Sequence, residues 1–223
     1  MGIGNTSRFM LAAFAAAMVV STPVQAAQLL TNGDFAAGLA GWTLTTTANG
    51  VANHAAATFD VTGSGVQSAG ELKVGVVDFN FDVPPAGGGF LQSFTSTGGP
   101  GVFSASIAAL GGSDNNIQGG IFSVLLNGVE KDSFTVGLIN VNAIVRSTLS
   151  FTDALLVGTN TIELRAVRPF LASNTPQQYF TNVSLVGAAV PEAATWAMFI
   201  AGFGIVGTTL RRRTAVAKGA PNS

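Results

Sequence analysis

The sequence predicts an all-β protein whose folded part is an antiparallel β-sandwich, and three observations predict it. Across residues 28–187 Gly, Thr, Ser, Val and Phe are abundant while Lys and Glu are scarce. Short runs of alternating apolar and polar residues recur between turn residues about every 8 to 15 positions, as half-buried strands do. No helix of ordinary length is visible before residue 194. These roughly 160 residues suffice for one domain with a sizeable core.

In chain order, Arg8 precedes the apolar run 9–20, and small residues follow up to Ala27. This reads as a secretory signal peptide over residues 1–26, cut after Ala26 or Ala27. His54, beside Asn53 and three alanines, reads as a loop histidine. The clearest strand is 74–83, where Asp78, Asn80 and Asp82 alternate with Phe79, Phe81 and Val83 before Pro84 and Pro85 end it. The run also matches the start of a calcium-binding loop. That motif fails, because Val83 stands where its glycine belongs and Gly89 where its glutamate belongs. Asp78, Asn80 and Asp82 are therefore a wet strand face and the candidate glycan-facing residues.

Further strands are expected at 90–95, 102–110 and 121–126. Asn127-Gly128 supplies the positive φ angles of a type I′ turn, so 129–136 should return as a hairpin partner. Segments 146–151 and 160–167 read as another pair joined through Gly158, and 179–186 closes the domain. The Gly- and Asn-rich stretch within 107–120 reads as the most flexible loop.

Beyond the domain, residues 194–210 are uncharged and mostly apolar, and Arg211, Arg212 and Arg213 follow. At 1.5 Å per residue such a run reaches roughly 25 Å, the short end of a membrane span. An arginine at mid-membrane costs about 2.5 to 3.5 kcal/mol, so the triplet would stop the helix on the cytoplasmic side. Gly202, Gly204 and Gly207 also satisfy a dinucleotide-binding spacing, but no strand precedes them and no βαβ unit surrounds them.

This tail, 190–214, resembles the PEP-CTERM sorting signal of Gram-negative bacteria. The resemblance rests on Pro191, Glu192, Thr195, Trp196, Ala197, Met198, Gly202, Phe203, Gly204, Gly207 and the arginine run; Ala193 stands where the family has its second proline. It implies that Pro191 and Glu192 are recognised by an exosortase, a membrane-embedded cysteine transpeptidase, and that the chain is held transiently in the inner membrane. A second resemblance joins the domain's two ends. Asn32, Gly33, Asp34, Phe35, Gly38, Gly41 and Trp42, then Tyr179, Phe180, Asn182, Val183, Ser184 and Leu185, are similar to the framing of galactose-binding-like jelly rolls, the fold of many carbohydrate-binding modules. That resemblance implies adjacent first and last strands and Trp42 in the core. It also implies a structural calcium held in part by Asp34, whose simpler reading is a turn cap; no other cofactor is expected.

The composition excludes several classes. No cysteine is present, which removes disulfides, catalytic thiols and thiolate-held metals, and His54 is the single histidine. Residues 28–187 carry ten acids against Lys73, Lys131, Arg146, Arg165 and Arg168, a balance that disfavours nucleic acid. The jelly-roll resemblance assigns Trp42 and Tyr179 to the framework, so rings for stacking on sugar are scarce. No acidic pair sits in a recognisable catalytic setting. The expectation is an exported, non-enzymatic protein; the sorting resemblance implies that an exosortase sorts it to the cell surface or extracellular matrix, with a structural or adhesive role in exopolysaccharide. The alternative is a lectin-like module whose function is glycan binding itself.

Overall fold

The computed structural model describes residues 26–47, 52–74, 86–113, 117–169 and 176–187, together with Ile200 and Phe203. The chain divides into two units, Gln25–Val190 and a second formed by Met1–Val24 with Pro191–Ser223. In the second unit Ile200 and Phe203 are helical and exposed. Among the described residues no helix is long and apolar enough to cross a membrane. The signal peptide, the rest of the 194–210 span and the motif residues Pro191, Glu192, Trp196, Ala197 and Arg211 to Arg213 lie outside them.

The first unit is all-β. Its strands are β1 (Ala27–Gln28), β2 (Thr43–Thr46), β3 (Ala52–Phe59), β4 (Gln67–Val74), β5 (Ala86–Leu110), β6 (Ile117–Gln118), β7 (Ile121–Leu126), β8 (Val129–Thr135), β9 (Leu138–Ile139), β10 (Ile144–Arg168) and β11 (Gln177–Gly187). Nine of them form one antiparallel sheet in the order β3-β4-β11-β5-β10-β7-β8, with β1 added on β11 and β2 on β5; β6 and β9 pair separately.

The architecture follows from one long ribbon. Strands β5 and β10 pair along their length, from Ile144 opposite Leu110 to Arg168 opposite Ala86. The first half of β5 also pairs with β2, and the facing half of β10 pairs with β7. The second half of β5 pairs with β11. Half-way along, the inward-facing set changes parity. On β5, Phe90, Gln92, Phe94 and Ser96 are buried before the change, and Gly101, Phe103, Ala105 and Ile107 after it. On β10 the change falls between Leu155 and Asn160. Gly98 and Gly99, at φ 89° and 90°, and Gly158, at φ 95°, make the bend, since side chains rarely take that conformation. Asn160 secures it. Its amide donates to the carbonyls of Leu156 (2.8 Å) and Gly158 (3.1 Å), and its Oδ1 accepts from the Leu156 N–H (3.0 Å).

The bend turns the sheet onto itself, so rings from its two halves meet. Phe180 of β11 stands edge-on to Phe90 of β5 (5.9 Å) and Phe122 of β7 (5.1 Å), and Phe35 stacks on Trp42 at 5.4 Å. Around them Leu72, Ile107, Leu149, Ile162, Leu164 and Leu185 are fully buried. The N-terminal stretch closes the core from the side. The Leu29 N–H donates to Leu185 O (2.9 Å) and the Val183 N–H to Gly33 O (2.8 Å). A methyl group on Gly33 would lie 1.9 Å from Val183 O, so only glycine permits this approach. The adjacency of first and last strands and the buried Trp42 agree with the jelly-roll framing.

Three expectations are corrected. Segments 90–95 and 102–110 are one strand, because Gly98-Gly99-Pro100 bends the chain without reversing it. Segments 146–151 and 160–167 likewise belong to one strand and pair with β5, not with each other. His54 lies in β3, opposite Leu72 of β4, and not in a loop. The described part of the strand expected at 74–83 is only Val74, the last residue of β4; Asp78, Asn80 and Asp82 fall outside the described residues. Within 107–120, Ile107 to Leu110 end β5 and Ile117–Gln118 form β6, while residues 114–116 are outside the described set. The Asn127-Gly128 turn has the expected φ angles, 53° and 79°, and returns β8 onto β7.

Candidate functional site

On the outer face of the half-sheet β3-β4-β11-β5-β10, strand register sets one row of side chains across five strands. Ala55 lies opposite Glu71, Glu71 opposite Tyr179, Tyr179 opposite Ala108 and Ala108 opposite Arg146. In the same direction from this row come Lys73 on β4 and, on β11, Gln177 opposite Leu110. Directly opposite residues share a face, so these groups project together.

A small second cluster forms there, with Val61, Ala69, Ala108 and Tyr179 buried and Ala57, Phe59 and Leu110 packed on them. Val61 reaches it because the loop after β3 folds back. Asp60 Oδ1 accepts from the N–H groups of Gly63 (2.8 Å) and Gly65 (3.1 Å), while Arg146 donates Nε (3.1 Å) and Nη2 (2.9 Å) to Asp60 O. The Phe59 ring lies parallel to Tyr179 at 4.1 Å and 7°. Tyr179 is 5% exposed, whereas Phe59 stays half-buried and keeps open surface.

The polar groups beside the rings form a connected set. The Tyr179 hydroxyl donates to Gln177 Oε1 at 2.7 Å, and Lys73 Nζ lies 3.2 Å from Glu71 Oε1. Burial, reinforced by the Glu71 carboxylate, pushes the Tyr179 phenol up to about 12, so it stays a neutral donor and acceptor across the physiological range. An aromatic surface flanked by a carboxylate, an amide and an ammonium can stack on a sugar ring and exchange hydrogen bonds with its hydroxyls.

The other described residues of interest, Asp34, His54 and Arg168, are not part of this row. Asp34 is exposed in the N-terminal turn, where its Oδ1 accepts from the Ala36 N–H at 3.1 Å. Asn32 organises that turn, donating to Gly38 O and Ala40 O (2.9 Å each) and accepting from the Ala37 N–H (2.9 Å). Among the described residues no three acidic or histidine side chains converge as a metal site. The described groups at Asp34 therefore fit a turn cap and do not assemble the several carboxylate oxygens that calcium usually takes. His54 sets its ring edge-on to Phe90 at 5.3 Å, and its buried Nε2 has no hydrogen-bond partner among the described residues. Burial holds its pKa below the ordinary histidine value, outweighing an opposite pull from the backbone of Gly89, Thr45 and Ala52. Arg168 is fully buried and donates to Gln118 O (3.0 Å) and Val74 O (3.3 Å), tying strand ends together; burial lowers its pKa to about 10.

Sequence reasoning missed Phe59, Glu71, Lys73 and Gln177. A signal was present at Glu71 and Lys73, which alternate with Gly70, Leu72 and Val74. Nothing local marked Phe59, because the strand leading to it is mostly alanine.

No family model and no curated protein matches the chain. Among solved structures it is similar to an arabinose-bound α-L-arabinofuranosidase, at 17% identity over 72% of this chain and 26% of that one, TM-score 0.44. It is also similar to TmCBM61 in complex with β-1,4-galactotriose, at 11% identity over 73% and 99% of the two chains, TM-score 0.40. A family 35 carbohydrate binding module from Clostridium thermocellum is similar at 15% identity over 67% and 100%, TM-score 0.32. The chain spans about a quarter of the arabinofuranosidase and 21% of the tailspike protein 4 enzymatically active domain of bacteriophage CBA120, to which it is also similar. Likeness of this degree carries neither site residues nor a ligand to this chain.

Proposed function

We propose that residues 26–187 form a glycan-binding module, with the outer face around Phe59, Glu71, Lys73, Gln177 and Tyr179 as its site. The observation that carries this is the Phe59 ring, stacked on Tyr179 at 4.1 Å and only partly buried. The Tyr179 beneath it pairs across strands with Glu71, which holds Lys73, and its hydroxyl is bound by the Gln177 amide oxygen. The role is binding, with no chemistry performed on the sugar. Titration of the purified protein against soluble polysaccharides tests it. Saturable, sugar-competed binding should weaken about tenfold in Phe59→Ala, since a stacked ring contributes about 0.5 to 1.5 kcal/mol beyond its buried area.

The same proposal sets the module on an exported protein. The resemblance of residues 190–214 to the PEP-CTERM signal supports a route through the inner membrane, exosortase recognition at Pro191 and Glu192, and delivery to the cell surface or extracellular matrix. Glycan binding would then hold the chain within exopolysaccharide, so the adhesive role follows from the binding role.

A further inference from the structure

We propose that the ligand of this face is an uncharged saccharide. This rests on the reading of the face as a glycan site and names which glycans it accepts. Four charged groups surround the stacked rings, and each is committed to another of the four. Lys73 Nζ is 3.2 Å from Glu71 Oε1, with the Glu71 side chain only 11% exposed. Arg146 Nη2 is 3.2 Å from Asp60 Oδ2, and the same guanidinium binds Asp60 O through Nε and Nη2. Among the described residues the face therefore carries two cations, each already paired with one of two anions.

A uronate or sulfated sugar needs a cation that is free to turn toward it. To obtain Lys73 it would have to draw the ammonium away from Glu71, leaving a largely buried carboxylate without its counter-charge. To obtain Arg146 it would have to break the guanidinium contacts that hold the loop after β3 over Val61. Stranding a buried charge is far costlier than forming one more exposed ion pair gains. A neutral sugar has no such conflict. Its hydroxyls can donate to the spare lone pairs of Glu71 and accept from the Gln177 amide nitrogen, whose Oε1 is occupied by the Tyr179 hydroxyl. The neutral phenol adds no charge.

The test is affinity electrophoresis of the purified full-length protein in gels containing galactomannan, xyloglucan or dextran as neutral probes, and polygalacturonate, alginate or heparin as acidic ones. Retardation by at least one neutral polymer is expected, changing less than about twofold between about 0.05 and about 0.5 M NaCl. Glu71→Gln removes the counter-charge of Lys73 and should strengthen retardation by polygalacturonate by about threefold to fivefold, the scale of one screened ion pair. Retardation confined to acidic polymers and abolished by salt would overturn the neutral assignment while leaving glycan binding intact. No retardation by any probe, from protein whose circular dichroism shows a folded β-sheet, would overturn both.

Discussion

Tyr179 is the chain's single tyrosine, so its ionisation can be followed by absorbance without interference from another phenol. With its pKa pushed up to about 12 by burial and by Glu71, the folded state holds the phenolic proton more tightly than the unfolded chain, where the value is about 10. Its contribution to stability is therefore constant below about pH 10 and falls as pH rises from 10 to 12. The loss should be of order 2 to 3 kcal/mol in denaturant titrations of the protein and absent from Tyr179→Phe. His54 runs the other way. Its folded pKa lies below the ordinary value of about 6.5, so the stability it permits is present above that pH and is lost on acidification. As the single histidine it gives one imidazole resonance, which should titrate at a pH below 6.5, and His54→Gln should flatten the acid limb of the stability profile.

Among the elements, the bend in the β5-β10 ribbon decides whether one sheet becomes a sandwich. Asn160 makes four side-chain hydrogen bonds there, the fourth from Asn127 Nδ2 at 3.0 Å, and is almost fully buried. Asn160→Ala should cost about 2 to 4 kcal/mol, read as a lower denaturant midpoint, because each bond contributes about 1 kcal/mol and the stranded backbone groups add to the loss. This element also marks how far the sequence could be read. The β7-β8 hairpin was legible because Asn127-Gly128 permits few other turns, and β11 because its apolar residues alternate. The ribbon was not, since a glycine pair that bends a strand has the same local composition as one that ends it; only the non-local pairing of β5 with β10 separates the two. Strand β3 escaped for a related reason. Alanine has weak strand preference, and pairing with β4 alone makes Ala52–Phe59 extended. The site inherited that blindness, because it joins the neighbouring strands β3 and β4 to β11, which lies far along the chain.

For the whole molecule, the proposal divides the chain by task, with residues 26–187 binding glycan and 190–214 directing export. If so, replacing Pro191 and Glu192 by alanine should leave the protein with the inner membrane in cell fractionation, while sugar binding by the solubilised protein is unchanged. Replacing Arg211 to Arg213 should likewise disturb only location. A variant that loses both properties together would contradict the division. The most direct test of the central claim is hydrogen exchange of the purified protein with and without saturating galactomannan, xyloglucan or dextran, whichever binds. The account predicts added protection confined to peptides covering β3, the loop at 60–66, β4 and the start of β11, and, with the glycan lowered to near the wild-type Kd, much less of it in Phe59→Ala. Protection that falls elsewhere, or that is undiminished in Phe59→Ala at that lower glycan concentration, would contradict it.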